Sequence, residues 1–427
     1  MKSPDVLVAG AGPGGCAAAL GLAERGAEVL LMDPGPSRQC RLAGEWIHPA
    51  GADALRSLGL EFENTTCARN RGFIVHPSDE ETPITLEHPG TEALSMPHET
   101  LIAALRRAVA EHPSITFRTG HRVLTATDQG LTQSTDGCYR TALVVGAEGR
   151  ASAVRRALRP DEPAAIRLSR TAGITLPLAT LPTEHYGHVI LGAPGPILLF
   201  RLTPDRIRIT FDMPAPGPRP ESLVRHLLEE YLPHIPGPLR PAARRALTTR
   251  PIQWASNAYR PRDFHGRRRC ALVGDAVGHN HPLAAHGLSH ALLDARHLAA
   301  AAALGDYRSR SRRTSWTPEH VCAALGRLFI TPDAISADLR QSLFTEWRNN
   351  SAHTHQAMRQ LAMLDTRKWP LAAALARIAT HVLADSDFPD VTTVGRRVRE
   401  LIAWGLWLGH PHPPYRFPPP DSKCQSS

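Results

Sequence analysis

Residues 5–33 read DVLVAGAGPGGCAAALGLAERGAEVLLMD, which is the pattern of a buried strand, a glycine turn, a helix and a second strand. The turn has the GxGxxG spacing, with glycines at Gly10, Gly12, Gly14 and Gly15. Such glycines allow a tight turn and close approach of the backbone to a pyrophosphate, which the helix N-terminus attracts. Asp33 closes the second strand, where an acid accepts ribose hydroxyls. The segment therefore predicts a dinucleotide site.

The composition is that of a folded globular protein. The 427 residues include 42% hydrophobic residues, enough to fill the cores of two or three domains. The formal net charge is +9, and it comes from scattered arginines, since lysine occurs only at Lys2, Lys368 and Lys423. Scattered arginines favour a solvated basic surface, so we expect no nucleic-acid partner.

The cysteines and the apolar runs predict a cytoplasmic location. The seven cysteines are widely spaced and form no CxxC, which argues against a disulfide framework or a zinc site. The first apolar segment is the cofactor strand itself rather than a signal peptide, and no run reaches the roughly 18 apolar residues of a membrane span.

Two further glycine segments follow the first. They are Gly146-Ala147-Glu148-Gly149-Arg150, and Gly274-Asp275 followed by Pro282 and Gly287. An NAD dehydrogenase would carry only one such turn. The three segments, in this order over residues 4–300, resemble the FAD-dependent monooxygenases of the single-component, aromatic-hydroxylase-like group. The resemblance implies that the first turn holds the ADP half of FAD, the second supports the cofactor, and the third holds the ribityl chain and the flavin ring.

Within that group the chain most resembles the squalene epoxidase family. RLAGEWIHPAG (41–51) is similar to that family's RxxGExxxPGG, and GDAVGHNHPLAAHG (274–287) to its GDAxxxxHPLTGGG. Residues 186–214 look like its substrate-domain strands. Two differences stand out, because Glu148 replaces the usual aspartate and Ala285-His286-Gly287 replaces a triple glycine. His98 stands where many relatives place an arginine.

The resemblance and the residue patterns together predict an α/β fold. We expect a Rossmann-like FAD-binding domain with an inserted antiparallel-sheet substrate domain and a C-terminal helical region. The predicted boundaries are 1–165 and 261–305 for the two parts of the FAD-binding domain, 166–260 for the substrate domain, 306–412 for the helices and 413–427 for a proline-rich tail.

The implied reaction transfers one oxygen atom from O2, through a flavin C4a-hydroperoxide, to a small apolar alkene or an aromatic ring, by epoxidation or hydroxylation. NADPH or NADH would reduce the flavin directly, or a separate reductase would supply the electrons. The implied cofactor-binding residues are Gly10, Gly12, Gly14, Gly15, Asp33, Arg41, Glu148, Gly149, Gly274, Asp275, Pro282, Gly287 and Leu288. Asp275 is expected to bind a ribityl hydroxyl or to cap the helix that follows. Arg41 and Glu45 are a candidate ion pair.

Histidines supply the candidate catalytic groups. His48 and His286 are either wall residues or the base that activates a phenol; an isolated alkene would need no base. Five histidines crowd the third glycine segment, namely His279, His281, His286, His290 and His297. Few carboxylates accompany them at tight spacing, so we expect no metal.

Several alternatives remain open. A prenyl-chain reductase, or a flavin-binding protein without catalysis, would share these motifs. A flavin halogenase is disfavoured, since it needs a lysine and none lies between residues 3 and 367. Residues 396–408 have the pattern of a basic amphipathic helix with Trp404 and Trp407 on its apolar side, which either contacts a membrane surface or packs on the domain.

Overall fold

The computed structural model describes residues 4–35, 42–77, 82–177, 179–215, 217, 219–384 and 391–410. The strands are β1 (Val6–Ala9), β2 (Val29–Asp33), β3 (Trp46–Ile47), β4 (Ala68–Asn70), β5 (Gly72–His76), β6 (Ile84–Glu87), β7 (Ala93–Ser95), β8 (Ile115–Thr119), β9 (Val123–Ala126), β10 (Leu131–Ser134), β11 (Gly137–Arg140), β12 (Leu143–Gly146), β13 (Ile166–Pro177), β14 (Tyr186–Ile190), β15 (Ile197–Thr203), β16 (Arg206–Pro214), β17 (Gln253–Tyr259), β18 (Gly266–Arg267) and β19 (Cys270–Leu272). The helices are α1 (Pro13–Ala23), α2 (Pro49–Arg56), α3 (His98–Glu111), α4 (Ala153–Leu158), α5 (Leu223–His226), α6 (Arg240–Thr249), α7 (Gly287–Ala300), α8 (Leu304–Ile330), α9 (Ala334–Asn349), α10 (Ser351–Leu361), α11 (Lys368–Ala384) and α12 (Val391–Gly409).

A six-stranded sheet forms the first layer, in the order β18-β19-β12-β1-β2-β8. All neighbours in it pair parallel except β18 with β19. Strands β1 and β2 are buried along their whole length, because helices and loops cover both faces of such a sheet. Helices α1 and α7 pack together on one face. This is the predicted Rossmann-like arrangement, and the predicted fold class is confirmed.

A seven-stranded sheet forms the second layer, in the order β17-β13-β16-β15-β14-β5-β6. Its long strands lie between Ile166 and Tyr259 and pair antiparallel. Two of its strands, β5 and β6, come from residues 72–87, a segment that we assigned to the FAD-binding domain. Strand β5 pairs parallel with β14, and its first four residues are buried. The chain therefore contributes two strands to this sheet early. It then adds β8 and β12 to the six-stranded sheet before it forms the remaining strands of the seven-stranded sheet, β13 to β17.

The C-terminal region is helical and packs against both sheets. Helices α8, α9, α11 and α12 share an apolar core that includes Leu328, Leu343 and Trp404. Among the described helices, none has the length and apolarity needed to span a membrane. The predicted proline-rich tail, residues 413–427, lies outside the described residues, as does Arg41.

Candidate functional site

The parallel sheet brings the three glycine segments to one edge. Strands β1, β12 and β19 are neighbours, and Ala9 pairs with Gly146, which in turn pairs with Leu272. The carboxyl ends of these strands therefore lie side by side, and each runs directly into a glycine turn. In open α/β sheets this edge is where nucleotide ligands bind.

The glycines of the first turn meet different structural requirements. Gly10 has φ +93°, and a Cβ on it would lie 2.6 Å from the Ala147 carbonyl oxygen. A Cβ on Gly15 would lie 1.8 Å from the Gly10 oxygen, and one on Gly14 would lie 3.3 Å from the Ala291 Cβ. These three glycines permit close packing within the protein.

Gly12 is different, because a Cβ on it would meet no described atom within 4 Å. It is the residue before α1, and no side chain among the described residues caps that helix start. An open backbone in front of free helical N–H groups fits a pyrophosphate. The donor set of this turn therefore suits the ADP half of FAD.

Asp33 is held in place at the end of β2. Its carboxylate accepts hydrogen bonds from the Ala11 N–H at 2.8 Å and the Gly35 N–H at 2.9 Å. Arg106 of α3 donates to the same carboxylate at 3.0 Å and to the Ala11 carbonyl at 3.1 Å. Arg106 was missed by sequence reasoning, since nothing in the helical pattern of α3 distinguishes this arginine from its neighbour Arg107. It ties α3 to the first glycine turn.

Glu148 folds back onto the start of α4. Its carboxylate accepts from the Ser152 hydroxyl at 2.6 Å and from the Ala153 and Val154 N–H groups at 3.1 Å each. Burial raises the pKa of Glu148, and these hydrogen bonds oppose that rise. The longer side chain thus stabilises the second turn. Gly149 follows with φ +72°.

Asp275 lies in the 3₁₀ turn Gly274–Ala276 after β19 and is partly exposed. Arg150 of the second turn donates to its carboxylate at 3.2 Å. The helix that follows, α7, begins only at Gly287, so the alternative that Asp275 caps that helix is wrong. The structure instead brings the second and third glycine turns together through this ion pair.

A buried ion pair stabilises the backbone of the third glycine turn. Arg262 lies 2.6 Å from the Asp294 carboxylate, with 1% and 4% of the two side chains exposed. Asp294 accepts from the Gly274 N–H at 2.9 Å, while Arg262 donates to the carbonyls of Gly274 and Gly278 at 3.0 and 2.8 Å. This pairing was missed by sequence reasoning, which noted Asp294 only as a carboxylate near the five histidines and did not single out Arg262.

The loop before α7 leaves open space beside its backbone at Gly287. Pro282 starts a 3₁₀ turn, and Ala285 takes a left-handed conformation with φ +50°, at a position where the family has glycine. A Cβ on Gly287 would meet no described atom within 4 Å. Leu288 is buried, and a Cβ on Gly44 would lie 2.9 Å from its Cγ. The 42–45 segment therefore packs over the start of α7.

Glu45 of this segment pairs with Arg208 of β16. The two distances are 2.5 and 2.7 Å, and both side chains are buried. The candidate partner Arg41 lies outside the described residues. The ion pair joins the 42–45 segment to the seven-stranded sheet.

The two candidate catalytic histidines lie together. The rings of His48 and His286 are 5.2 Å apart, and both residues are buried. Each places Nε2 against a carbonyl oxygen, that of Ala284 at 2.8 Å for His48 and that of Leu361 at 2.9 Å for His286. Burial lowers the pKa of His286 to about 4 and that of His48 well below its usual value. Both imidazoles are therefore neutral near pH 7.

His281 belongs to a different polar network. Its Nδ1 accepts from the Leu283 N–H at 3.1 Å, and its Nε2 lies 3.2 Å from the Asp212 carboxylate. Ser169 and Asn257 complete a buried network that joins this loop to β13, β16 and β17. Within the part of the chain that the structure describes, no cluster of His, Cys, Asp or Glu could hold a metal ion.

Fold and glycine turns together define a Rossmann-type flavoprotein. The sequence model of an FAD-binding domain matches residues 5–51, and that of squalene epoxidase matches residues 140–383. Since the second match covers more than half of the chain, the protein belongs to the squalene epoxidase family. The resemblance drawn from the sequence is thereby confirmed, and FAD is the cofactor of the site.

Individual relatives agree with this assignment. A squalene epoxidase from Aspergillus fumigatus is 29% identical over 311 residues, which cover 68% of this chain and 64% of the relative. The squalene monooxygenase of Rattus norvegicus is 25% identical over 69% of this chain and 54% of its own length. The chain thus spans less than two thirds of these relatives.

Solved structures share the fold. A probable FAD-dependent monooxygenase from Pseudomonas aeruginosa superposes with a TM-score of 0.61 at 21% identity, covering 84% of this chain and 99% of that one. A flavin-dependent brominase superposes with a TM-score of 0.65 at 15% identity, covering 89% and 99%.

Proposed function

We propose that this protein is an FAD-dependent monooxygenase that transfers one oxygen atom from O2 to an apolar alkene or an aromatic ring. The observation that carries the proposal is the meeting of three glycine turns at one sheet edge, in a member of the squalene epoxidase family. NADPH or NADH would supply the electrons, directly or through a separate reductase. Bound FAD would supply the oxygen-activating chemistry.

The chain's own residues would divide the task of holding FAD. Gly12 and the start of α1 receive the pyrophosphate, and Asp33 accepts from the adenosine ribose. Asp275 accepts from a ribityl hydroxyl, and the N–H groups at Gly287 and Leu288 face negative charge on the flavin ring. Each of these groups lies at the carboxyl end of a strand of the parallel sheet or at the start of α7.

Apolar side chains beside the loop would exclude water from the reaction. Trp46, Phe73 and Phe200 form one buried cluster, and Ala285 packs against it. Exclusion of water matters because solvent would divert the oxygen-activating chemistry that bound FAD would supply. A substrate carbon would reach the flavin beside this cluster, between the seven-stranded sheet and the loop before α7.

Anaerobic turnover separates the proposal from its alternatives. Saturation of a prenyl double bond without O2 would identify a reductase instead. Stoichiometric FAD without pyridine-nucleotide oxidation, with or without a reductase and with every substrate in a panel of alkenes and phenols, would identify a non-catalytic flavoprotein. The proposal expects reductant oxidation that requires both substrate and O2.

A second part of the proposal is a peripheral membrane contact through helix α12. The sequence indicated the side that carries Trp404 and Trp407, but a different side of the helix is exposed. Trp404 is buried against the domain, and both Trp404 and Trp407 lie near Arg327. The exposed face instead carries Ile402 at 56% and Leu406 at 72% exposure. Exposed Arg396 and Arg399 lie on the same helix. This pairing of apolar and basic side chains favours an anionic lipid surface.

A further inference from the structure

Four aromatic and imidazole rings form a compact group beside the loop before α7, which we name the ring cluster: Trp46, His48, Phe73 and His88. Trp46 stacks on Phe73 at 4.7 Å between ring centroids. His48 and His88 lie 6.2 and 6.1 Å from Phe73 and 6.1 Å from each other. At most 8% of any of these residues is exposed. The cluster therefore joins β3 and β5 to the loop that carries Ala284.

The ring cluster contains polar atoms that the protein leaves unpaired. Among the described residues, no hydrogen-bond partner exists for Trp46 Nε1, for His48 Nδ1 or for either ring nitrogen of His88. Leaving a buried polar atom unpaired costs stability, and native structures keep few of them. Four such atoms in one small cluster point to a ligand that supplies their partners.

The roles of two of these atoms are fixed. A carbonyl oxygen only accepts, so His48 Nε2, 2.8 Å from the Ala284 oxygen, carries the ring proton. Burial lowers the pKa of His48, which leaves the ring neutral and its Nδ1 an acceptor. An indole N–H only donates, so Trp46 Nε1 is a donor. The cluster thus presents one acceptor and one donor around a stack of aromatic rings.

We propose that the ring cluster binds an aromatic substrate that carries a ring hydroxyl. The hydroxyl donates to His48 Nδ1 and accepts from Trp46 Nε1 or from His88, while the aromatic body packs on Phe73. A hydrocarbon without a heteroatom would leave all four nitrogens unpaired. This inference rests on the proposed monooxygenase function and narrows its substrate class. It makes His48 and His88 specificity-determining residues.

Equilibrium binding to the FAD-loaded, oxidised full chain tests the inference without turnover. The probes are 2-naphthol and naphthalene, which differ only in the hydroxyl, and binding is followed by calorimetry and by the flavin absorption spectrum. We expect 2-naphthol to bind about tenfold more tightly than naphthalene. His48→Phe and His88→Phe should each bring this ratio close to one without weakening naphthalene binding.

His76→Phe is the matched control, because His76 is a half-buried histidine at the end of β5 that bonds to His188 instead. It should leave the ratio unchanged. If His48→Phe does not retain FAD, His88→Phe alone decides the outcome. Equal affinity for the two probes, no binding of either, or a ratio that survives both substitutions would overturn the inference.

The failure of this inference differs from the failure of the proposed function. An enzyme that consumes O2 and oxygenates a plain hydrocarbon, but shows no preference for the naphthol, keeps the monooxygenase function and loses the hydroxyl-bearing substrate. A chain that binds no FAD, or whose flavin never delivers oxygen, loses the proposed function whatever the probes show.

Discussion

Arg262 and Asp294 form a buried ion pair that encloses the backbone of the third glycine turn. The Asp294 carboxylate accepts a hydrogen bond from the Gly274 N–H. The Arg262 guanidinium donates hydrogen bonds to the Gly274 and Gly278 carbonyls. Three backbone polar groups of this turn thus have a charged partner. The pair sets the position of Asp275, which is expected to meet the ribityl chain.

Replacing Asp294 by alanine should destabilise the fold and loosen FAD. The substitution leaves the Arg262 charge buried and unpaired, which costs about 3–5 kcal/mol in such pairs. Urea unfolding and FAD release on dilution measure the two effects. Asp306→Asn, at an exposed position in the first turn of α8, is the control and should change neither. Full retention of stability in the Asp294 variant would show that the pair does not hold the turn.

Two glycine substitutions in the first turn should have opposite signatures. Gly12→Ala should fold with a loss of no more than about 1 kcal/mol at the N-cap, since its φ is −77° and the added Cβ meets no described atom within 4 Å. It should weaken FAD binding about tenfold or more, because the methyl group blocks the approach of the pyrophosphate. Fluorescence titration of the apoprotein with FAD measures this loss.

Gly15→Ala should instead strongly destabilise the folded protein. Its Cβ would lie 1.8 Å from the Gly10 oxygen, a backbone atom that cannot move away cheaply. A loss of about 3 kcal/mol or more in unfolding free energy is expected.

If Gly12→Ala bound FAD as tightly as the unchanged chain, the pyrophosphate would not lie at this turn.

The buried histidines should make the fold sensitive to acid. Burial lowers the pKa of His88 from 6.5 to about 4, so between these values the unfolded chain binds a proton that the folded chain excludes. Stability contributed by the neutral ring is complete above pH 6.5 and is lost as the pH falls towards 4. His88→Phe should remove up to roughly 3 kcal/mol of this loss. Urea unfolding at several pH values provides the measurement, and identical pH profiles would refute the assignment.

The exposed face of α12 should bind anionic vesicles. Leu406→Glu should reduce co-sedimentation with phosphatidylserine-containing vesicles about tenfold, because it removes apolar area and adds repulsion. Leu124→Glu is the matched control, since Leu124 is an exposed leucine on β9, at 43% exposure. Equal loss in both variants, or no binding by the unchanged chain, would argue against this surface.

The sequence predicted the parts of the structure that local patterns encode. A glycine turn between a buried strand and a helix has only a few compatible geometries, so α1, β2 and the positions of Gly10 and Asp33 followed from the motif. The order of three such turns was enough to predict the fold class and the family. The two motif segments that resemble the squalene epoxidase family offered His48 and His286 as candidate pocket residues, and the structure brings their rings together.

The long-range pairings could not be predicted in the same way. Arg208 meets Glu45, and Arg106 meets Asp33, only because separate elements pack side by side. An arginine-rich chain offers many equivalent partners for each carboxylate, and spacing does not choose among them. The contribution of residues 72–87 to the seven-stranded sheet, as β5 and β6, was missed for a related reason. A short buried strand carries no signal for the sheet that it joins.

Turnover of the FAD-loaded protein under heavy-isotope O2 shows whether the enzyme transfers an oxygen atom from O2 to its substrate. The protein receives NADPH, with or without a reductase, and a panel of hydroxylated aromatic rings and apolar alkenes, and the products are analysed by mass spectrometry. We expect one labelled oxygen atom in the product for each reductant oxidised in coupled turnover. A product without the label, or a double bond saturated in the absence of O2, would contradict this expectation.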